Sequence, residues 1–364
     1  MVKAEDLVLP TVAALRPYEP GKPIEEVQRE LGITEPAKLA SNENPIGPSP
    51  LAVQAITRAL GDLNRYPDGG CYQLRNKIAA HHRVAPGQIF VGSGSCEILD
   101  LLALVFLRPG LNAVIAEHSF VIYQLAIAAS GGRAKVVPLT AGYVFDLDAM
   151  AAAIDTTTRM VFLGNPNNPT GTIFRKADWK RFLGRVPEEV IVVADEAYFE
   201  FVRDPEYPDS LDDHNGKRLL VTTRTFSKIF GLAGLRVGYA IAREDIVAML
   251  NNVRQPFNVT SLAQVAALAG MDDAEHVRRT IAVNSDGMNY LQGEFTRLRL
   301  SFIPSHANFM LVEVGDGRAI FDKLLGKGVI VRPMNGYGLP RHVRISVGLP
   351  EENRRLIQAL SEVM

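Results

Sequence analysis

The segment "TFSKIFGLAGLRVGYA", Thr225 to Ala240, places a lysine among apolar residues. Lys228 is flanked by Phe226, Ile229 and Phe230, and an ammonium buried without a partner is costly. Its neighbours argue against a solvated surface lysine and for an amine kept in a shielded place. Thr225 and Ser227 add hydroxyls, and Arg236 adds a guanidinium eight residues on. Asp195 ends the apolar run "VIVVAD", so it belongs at the end of a central strand, where a carboxylate needs a cation or a donor. Tyr198 follows three residues later. In "NPNNPTG", two prolines and a glycine build a rigid loop that presents the amides of Asn167 and Asn168. After "IFVG" comes "SGSCE", a Gly-rich turn opening a helix near Ser95, where free N–H groups can meet an anion.

Taken singly, these features have ordinary readings, a strand-to-helix turn for "SGSCE" and a helix N-cap for Asp195. Together they ask for one ligand that carries a phosphate, a carbonyl for the lysine and a group that needs a buried carboxylate. Pyridoxal 5′-phosphate has all three. Its aldehyde condenses with an amine, its ring nitrogen needs an anionic partner, and its ring hydroxyl needs donors such as Asn and Tyr.

These groups follow predicted strands, where open α/β sheets bind ligands. Short apolar runs ("IFVG", "NAVIA", "AKVVPL", "RMVFLG", "VIVVAD", "LLVTTRT", "RVGYAI") alternate with helix-period segments, which predicts buried parallel strands covered by helices on both faces. Residues 1–45 read as an N-terminal arm with one short helix at "IEEVQREL", residues 46–262 as a large α/β domain and residues 263–364 as a smaller α+β domain that packs with the arm. Two domains suit 364 residues, since single cores stop growing near ~250–300. Lys plus Arg number 39 and Asp plus Glu 40, so no basic surplus points to nucleic acid. Two cysteines make no disulfide framework. The acidic N-terminus lacks a signal-peptide core, and the densest apolar run, "ILDLLALVFL", is too short for a bilayer. The expectation is a cytoplasmic protein with small-molecule substrates, no metal, no nucleic acid and no membrane.

The motifs "PYEPGKPIEEV", "KLASNENPIGPSP", "RYPDGGCYQLR", "GSGSCEILDLL", "NPNNPTG", "DEAYFEF", "TFSKIFGLAGLRVGYAI", "NFMLVEV" and "GVIVRPMNGYGLPRHVRISVG" occur in one order along nearly the whole chain. In them the chain resembles the fold-type I pyridoxal-phosphate aminotransferases and, more narrowly, the histidinol-phosphate aminotransferase family. The resemblance implies Lys228 as the Schiff-base lysine, which then moves the substrate proton. It implies Asp195 on the ring nitrogen, Asn168 and Tyr198 on the ring oxygen, and Phe120 stacked on the ring. Ser95, Cys96, Thr225, Ser227 and Arg236 would hold the phosphate, joined by Tyr66 from a neighbouring subunit, so a homodimer with shared sites is implied. Arg344, Arg332, Tyr18 and Asn44 would bind substrate.

Cys96 departs from the family pattern, in which an aspartate stands at this place. The expected consequences are a lost carboxylate cap and a thiol acidified by the helix N-terminus. The implied reaction is transamination between histidinol phosphate and 2-oxoglutarate. Phenylalanine or tyrosine transamination is the alternative, and decarboxylation of an amino-acid phosphate is a more distant one. A DNA-binding regulator lacks a spare segment for its module, and a nicotinamide dehydrogenase lacks the third glycine of its fingerprint.

Overall fold

A computed structural model describes residues 2–15, 17, 21–33 and 35–364. Its strands are β1 (Ala37–Lys38), β2 (Ile89–Gly92), β3 (Asn112–Ala116), β4 (Arg133–Val137), β5 (Thr158–Gly164), β6 (Ile191–Asp195), β7 (Leu220–Thr225), β8 (Gly238–Ala242), β9 (Phe302–Ile303), β10 (Phe309–Glu313), β11 (Val329–Ile330), β12 (Arg332–Pro333) and β13 (His342–Ser346). A seven-stranded sheet runs in the order β2-β8-β7-β6-β5-β3-β4. Alternate residues of β5 enter different cores: Met160 and Phe162 pack on one face, Val161 and Leu163 on the other. That is why these strands read as continuous apolar runs, since both faces of the sheet are covered.

The sequence pattern predicted a mostly parallel central sheet, and the exception is β8, which is antiparallel to both β2 and β7. The segment between β7 and β8 carries no crossover helix. It folds straight back, with Phe226 N–H donating to the Val237 carbonyl at 3.1 Å, and a direct return makes an antiparallel pair.

The small lobe is an antiparallel sheet, β12-β13-β10-β9, with the helices Ala274–Arg297, Gly317–Gly326 and Pro350–Val363. Its core takes in Val27, Leu39 and Ala40 of the arm, and β1 pairs with β11. The turn of helix at Pro10–Ala13 lies elsewhere, with Thr11 Oγ1 donating to the Ala128 carbonyl of the large lobe. The expected boundary at 262/263 moves. Ala263, Ala266 and Ala267 of the helix Ser261–Gly270 share a core with Leu74, Ile78 and Ile241, so this helix belongs to the large lobe. Among the described residues no helix is long and apolar enough to cross a membrane.

Candidate active site

A cavity of about 270 Å³ opens at the carboxyl ends of β5, β6 and β7. Its further walls come from arm residues 40–43 and from Arg332, Tyr337 and Arg344 of the small lobe. Neither lobe completes it alone.

Asp195, the last residue of β6, forms its floor at 5% exposure. Tyr123 Oη donates to Oδ2 at 2.8 Å, and Thr223 Oγ1, from the adjacent strand, donates to Oδ1 at 3.0 Å. Burial pushes the carboxyl up from its ordinary range, and these two donors pull it back towards the ionised form.

Lys228 stands just past β7, in a loop held by Ser227 N–H on Thr225 Oγ1 (3.1 Å) and Gly231 N–H on the Lys228 carbonyl (3.1 Å). Its Nζ lies 3.3 Å from the Ser41 carbonyl and 5.7 Å from the centre of the Tyr198 ring. Burial first, then the Arg344 cation, bring the amine down to about 8. The shielded amine that the flanking apolar residues demanded is therefore present, and roughly a tenth to a fifth of it is neutral near physiological pH, far more than for an ordinary lysine.

The helix Gly94–Phe106 aims its N-terminus at the same cavity, which Ser95, Cys96, Thr225, Ser227 and Arg236 all line. Gly94 has φ +76°, and a Cβ there would sit 2.6 Å from Arg236 Nη2, so glycine is what lets the guanidinium lie across the helix end. Free N–H groups, hydroxyls and a guanidinium around one recess fit a phosphate dianion. With Asp195 and Lys228 beside it, the donor set fits pyridoxal phosphate.

One expectation for Cys96 is corrected. Burial pushes its thiol up rather than down, because the loss of hydration outweighs the Arg236 and Lys228 cations. The next residue, Glu97, brings its own carboxylate to the helix start: its Oε2 accepts the Ser93 N–H at 2.5 Å and an Asn258 amide hydrogen at 2.7 Å.

Phe120 and Asn168 line the cavity; Asn167 instead donates to the His118 carbonyl at 3.1 Å and to Thr170 Oγ1 at 2.9 Å. Asn168 Oδ1 accepts from Arg344 Nη1 at 2.6 Å, while Nη2 donates to the Ala40 carbonyl at 2.7 Å. Among the described residues Arg344 Nε is buried without a hydrogen-bond partner. Tyr198 Oη accepts from Asn42 Nδ2 at 3.0 Å, and burial raises the phenol to about 12.

Asn44, expected at the substrate, is not in the cavity wall. Its Nδ2 is spent on the Ile229 carbonyl (3.0 Å) and Thr280 Oγ1 (3.0 Å). Asn42 takes the place at the cavity. Tyr66 stands away from this chain's own cavity, 82% exposed and stacked on Phe257 at 4.7 Å. Tyr18 lies outside the described residues. Sequence reasoning missed Tyr123, Thr223, Asn42 and Tyr337. Two of these left a signal: Tyr123 is one helical turn after Phe120, and Thr223 shares a strand face with Thr225.

Residues 34–360 match the aminotransferase class I and II family. The chain belongs to that family of pyridoxal-phosphate-dependent enzymes and is a transaminase of fold type I. Within the family it is 50% identical over 361 residues to histidinol-phosphate aminotransferase 2 of Pseudomonas aeruginosa, covering 98% of each chain. It is 48% identical over 355 residues to the histidinol-phosphate aminotransferase of Akkermansia muciniphila, covering 97% of each. The crystal structure of histidinol-phosphate aminotransferase from Sinorhizobium meliloti in complex with pyridoxal-5′-phosphate superposes with a TM-score of 0.88 at 28% identity, over 98% of this chain and 97% of that one.

Proposed function

We propose that this enzyme transaminates histidinol phosphate with 2-oxoglutarate as acceptor. The observation that carries the reading is the pairing of Arg332 and Arg344 on one cavity wall, with Arg344 Nε buried and, among the described residues, unpartnered. One arginine suits an amino-acid carboxylate, whereas two suit a phosphate dianion. The names of the relatives support the same substrate.

Bound pyridoxal phosphate supplies an electron sink for the carbon that bears the substrate amine. Ser95, Cys96, Thr225, Ser227 and Arg236 would hold its phosphate, Asp195 its ring nitrogen, Asn168 and Tyr198 its ring oxygen, and Phe120 its ring face. Lys228 Nζ, about half neutral near pH 8, would take the proton from the amine-bearing carbon and deliver it to the carbon that carried the cofactor's aldehyde. Arg344 and Arg332 would orient the donor.

The working unit in this reading is a homodimer in the cytoplasm. Tyr66, Leu63, Tyr72 and Phe257 are exposed large side chains, and a second copy would cover them and bring Tyr66 to its neighbour's phosphate site. Both cysteines are free thiols, which suits a reducing compartment.

Single-turnover visible absorption tests the reading. The reconstituted enzyme is mixed in turn with histidinol phosphate, phenylalanine and tyrosine. Fastest conversion to the pyridoxamine form with histidinol phosphate is expected, and the Lys228→Ala variant loses the lysine-linked band. A faster aromatic amino acid would overturn the substrate; an unchanged band in Lys228→Ala would overturn the assignment of the lysine.

A further inference from the structure

Tyr123 is 1% exposed, yet its hydroxyl ends on the cavity floor. The ring is fixed from two sides, stacked on Phe162 at 5.2 Å and edge-on to Phe120 at 5.8 Å. Gly164, the last residue of β5, lies opposite Asp195 in the sheet register. A Cβ at Gly164 would come within 3.0 Å of Tyr123 Oη. The missing side chain at 164 is thus the gap through which the phenol reaches Asp195.

We propose that Tyr123 is a positioning residue: by donating one hydrogen bond to Oδ2 it holds Asp195 ionised and turned so that its remaining lone pair faces the cavity. An ionised carboxylate offers about four lone-pair sites. Tyr123 takes one on Oδ2 and Thr223 one on Oδ1, and the Ala197 N–H donates as well. One site is left on a carboxylate that lines the cavity, and it is available to a protonated ring nitrogen. A protonated carboxyl could not accept all three donors while also presenting an acceptor to the cavity. The other titratable groups that face Asp195 are Lys228, whose cation favours the anion, and the thiol of Cys96 and phenol of Tyr198, which are neutral at physiological pH.

This proposal rests on the reading of Asp195 as the partner of the cofactor's ring nitrogen, and its test separates the two. The affinity of the apoenzyme for pyridoxal phosphate is measured between pH 5 and 8 for the wild type, Tyr123→Phe, Asp195→Asn and the double variant. The Phe ring keeps the stack on Phe162 and removes only the donor. Affinity falls on the acid side as Asp195 gains a proton. Losing a hydrogen bond to the charged form raises a carboxyl by about one to two pH units, so the acid limb of Tyr123→Phe moves up by that amount. In the Asp195→Asn background the Tyr123 change has no further effect, because its target is gone. An unmoved limb, or an equal loss of affinity in both backgrounds, overturns the proposal and leaves Asp195 in its role. If Asp195→Asn alone alters neither the limb nor the affinity, the reading of Asp195 falls and takes this one with it. Should Tyr123→Phe fold poorly, Thr223→Val removes the other donor, and the same limb must rise; a fixed limb there overturns the claim that hydroxyl donors hold Asp195 ionised.

Discussion

Replacing Gly94 by alanine puts one methyl group where the cofactor's phosphate is expected to be held. Gly94 sits at φ +76°, a region in which a Cβ costs about 1–2 kcal/mol. That cost is borne by the fold. The second effect is local: the new Cβ would stand 2.6 Å from Arg236 Nη2 and 3.1 Å from Cζ. Arg236 is the far end of a flexible side chain, so the guanidinium gives way and the backbone does not. It then no longer lies across the N-terminus of the helix Gly94–Phe106. A hydrogen bond to a charged group contributes about 1.5–3 kcal/mol, which corresponds to a cofactor dissociation constant roughly ten- to a hundredfold weaker. Equilibrium titration of apoenzyme with pyridoxal phosphate measures this, with urea unfolding of the apoenzyme as the separate reading of backbone strain. In an Arg236→Ala background the Gly94 change is expected to add little to the loss of cofactor affinity, because the displaced group is already gone. Wild-type affinity in Gly94→Ala, or an undiminished loss in the Arg236→Ala background, would refute the reasoning.

Two other substitutions separate support from chemistry. Arg224→Met leaves Glu196, 2% exposed, without the guanidinium that now binds it at 2.8 Å, and breaking such a buried pair costs about 3–5 kcal/mol. Burial already raises the Glu196 carboxyl, and without its cation the folded-state value rises further. The folded variant then binds more protons than the unfolded chain, so its stability falls as pH climbs above the ordinary carboxylate value. Urea midpoints should be higher at pH 5.5 than at pH 8, and equal midpoints would contradict the argument. Asn44→Ala loses the hydrogen bonds to Ile229 and Thr280, worth about 2 kcal/mol together, and should lower the melting temperature with KM for donor and acceptor unchanged. A raised KM with unchanged melting would return Asn44 to the substrate.

The chemistry-bearing residues were legible in the sequence because each carries a local contradiction. Lys228 between phenylalanines and Asp195 at the end of an apolar run are costly unless they meet partners, so their types and neighbours announce a site. The alternation of apolar runs and helix-period segments likewise determined an α/β sheet, since strands buried on both faces must be apolar throughout. Distances between segments lie beyond that kind of reading. Nothing local distinguishes Asn42 from Asn44 in "SNENP"; the arm's docking on the small lobe turns one into the cavity and the other towards Thr280. Nor does the sequence tell that Tyr123 reaches Asp195, which needs the helix after β3 to lie over Gly164. The direction of β8 and the acidity of Cys96 were settled the same way. A short return sets strand direction, and burial overrides the nearby cations at the thiol. Residue types and period come from neighbours along the chain, whereas burial and hydrogen-bond partners are made by segments far apart in it. The tertiary structure alone therefore decided which of several chemically similar side chains face the ligand.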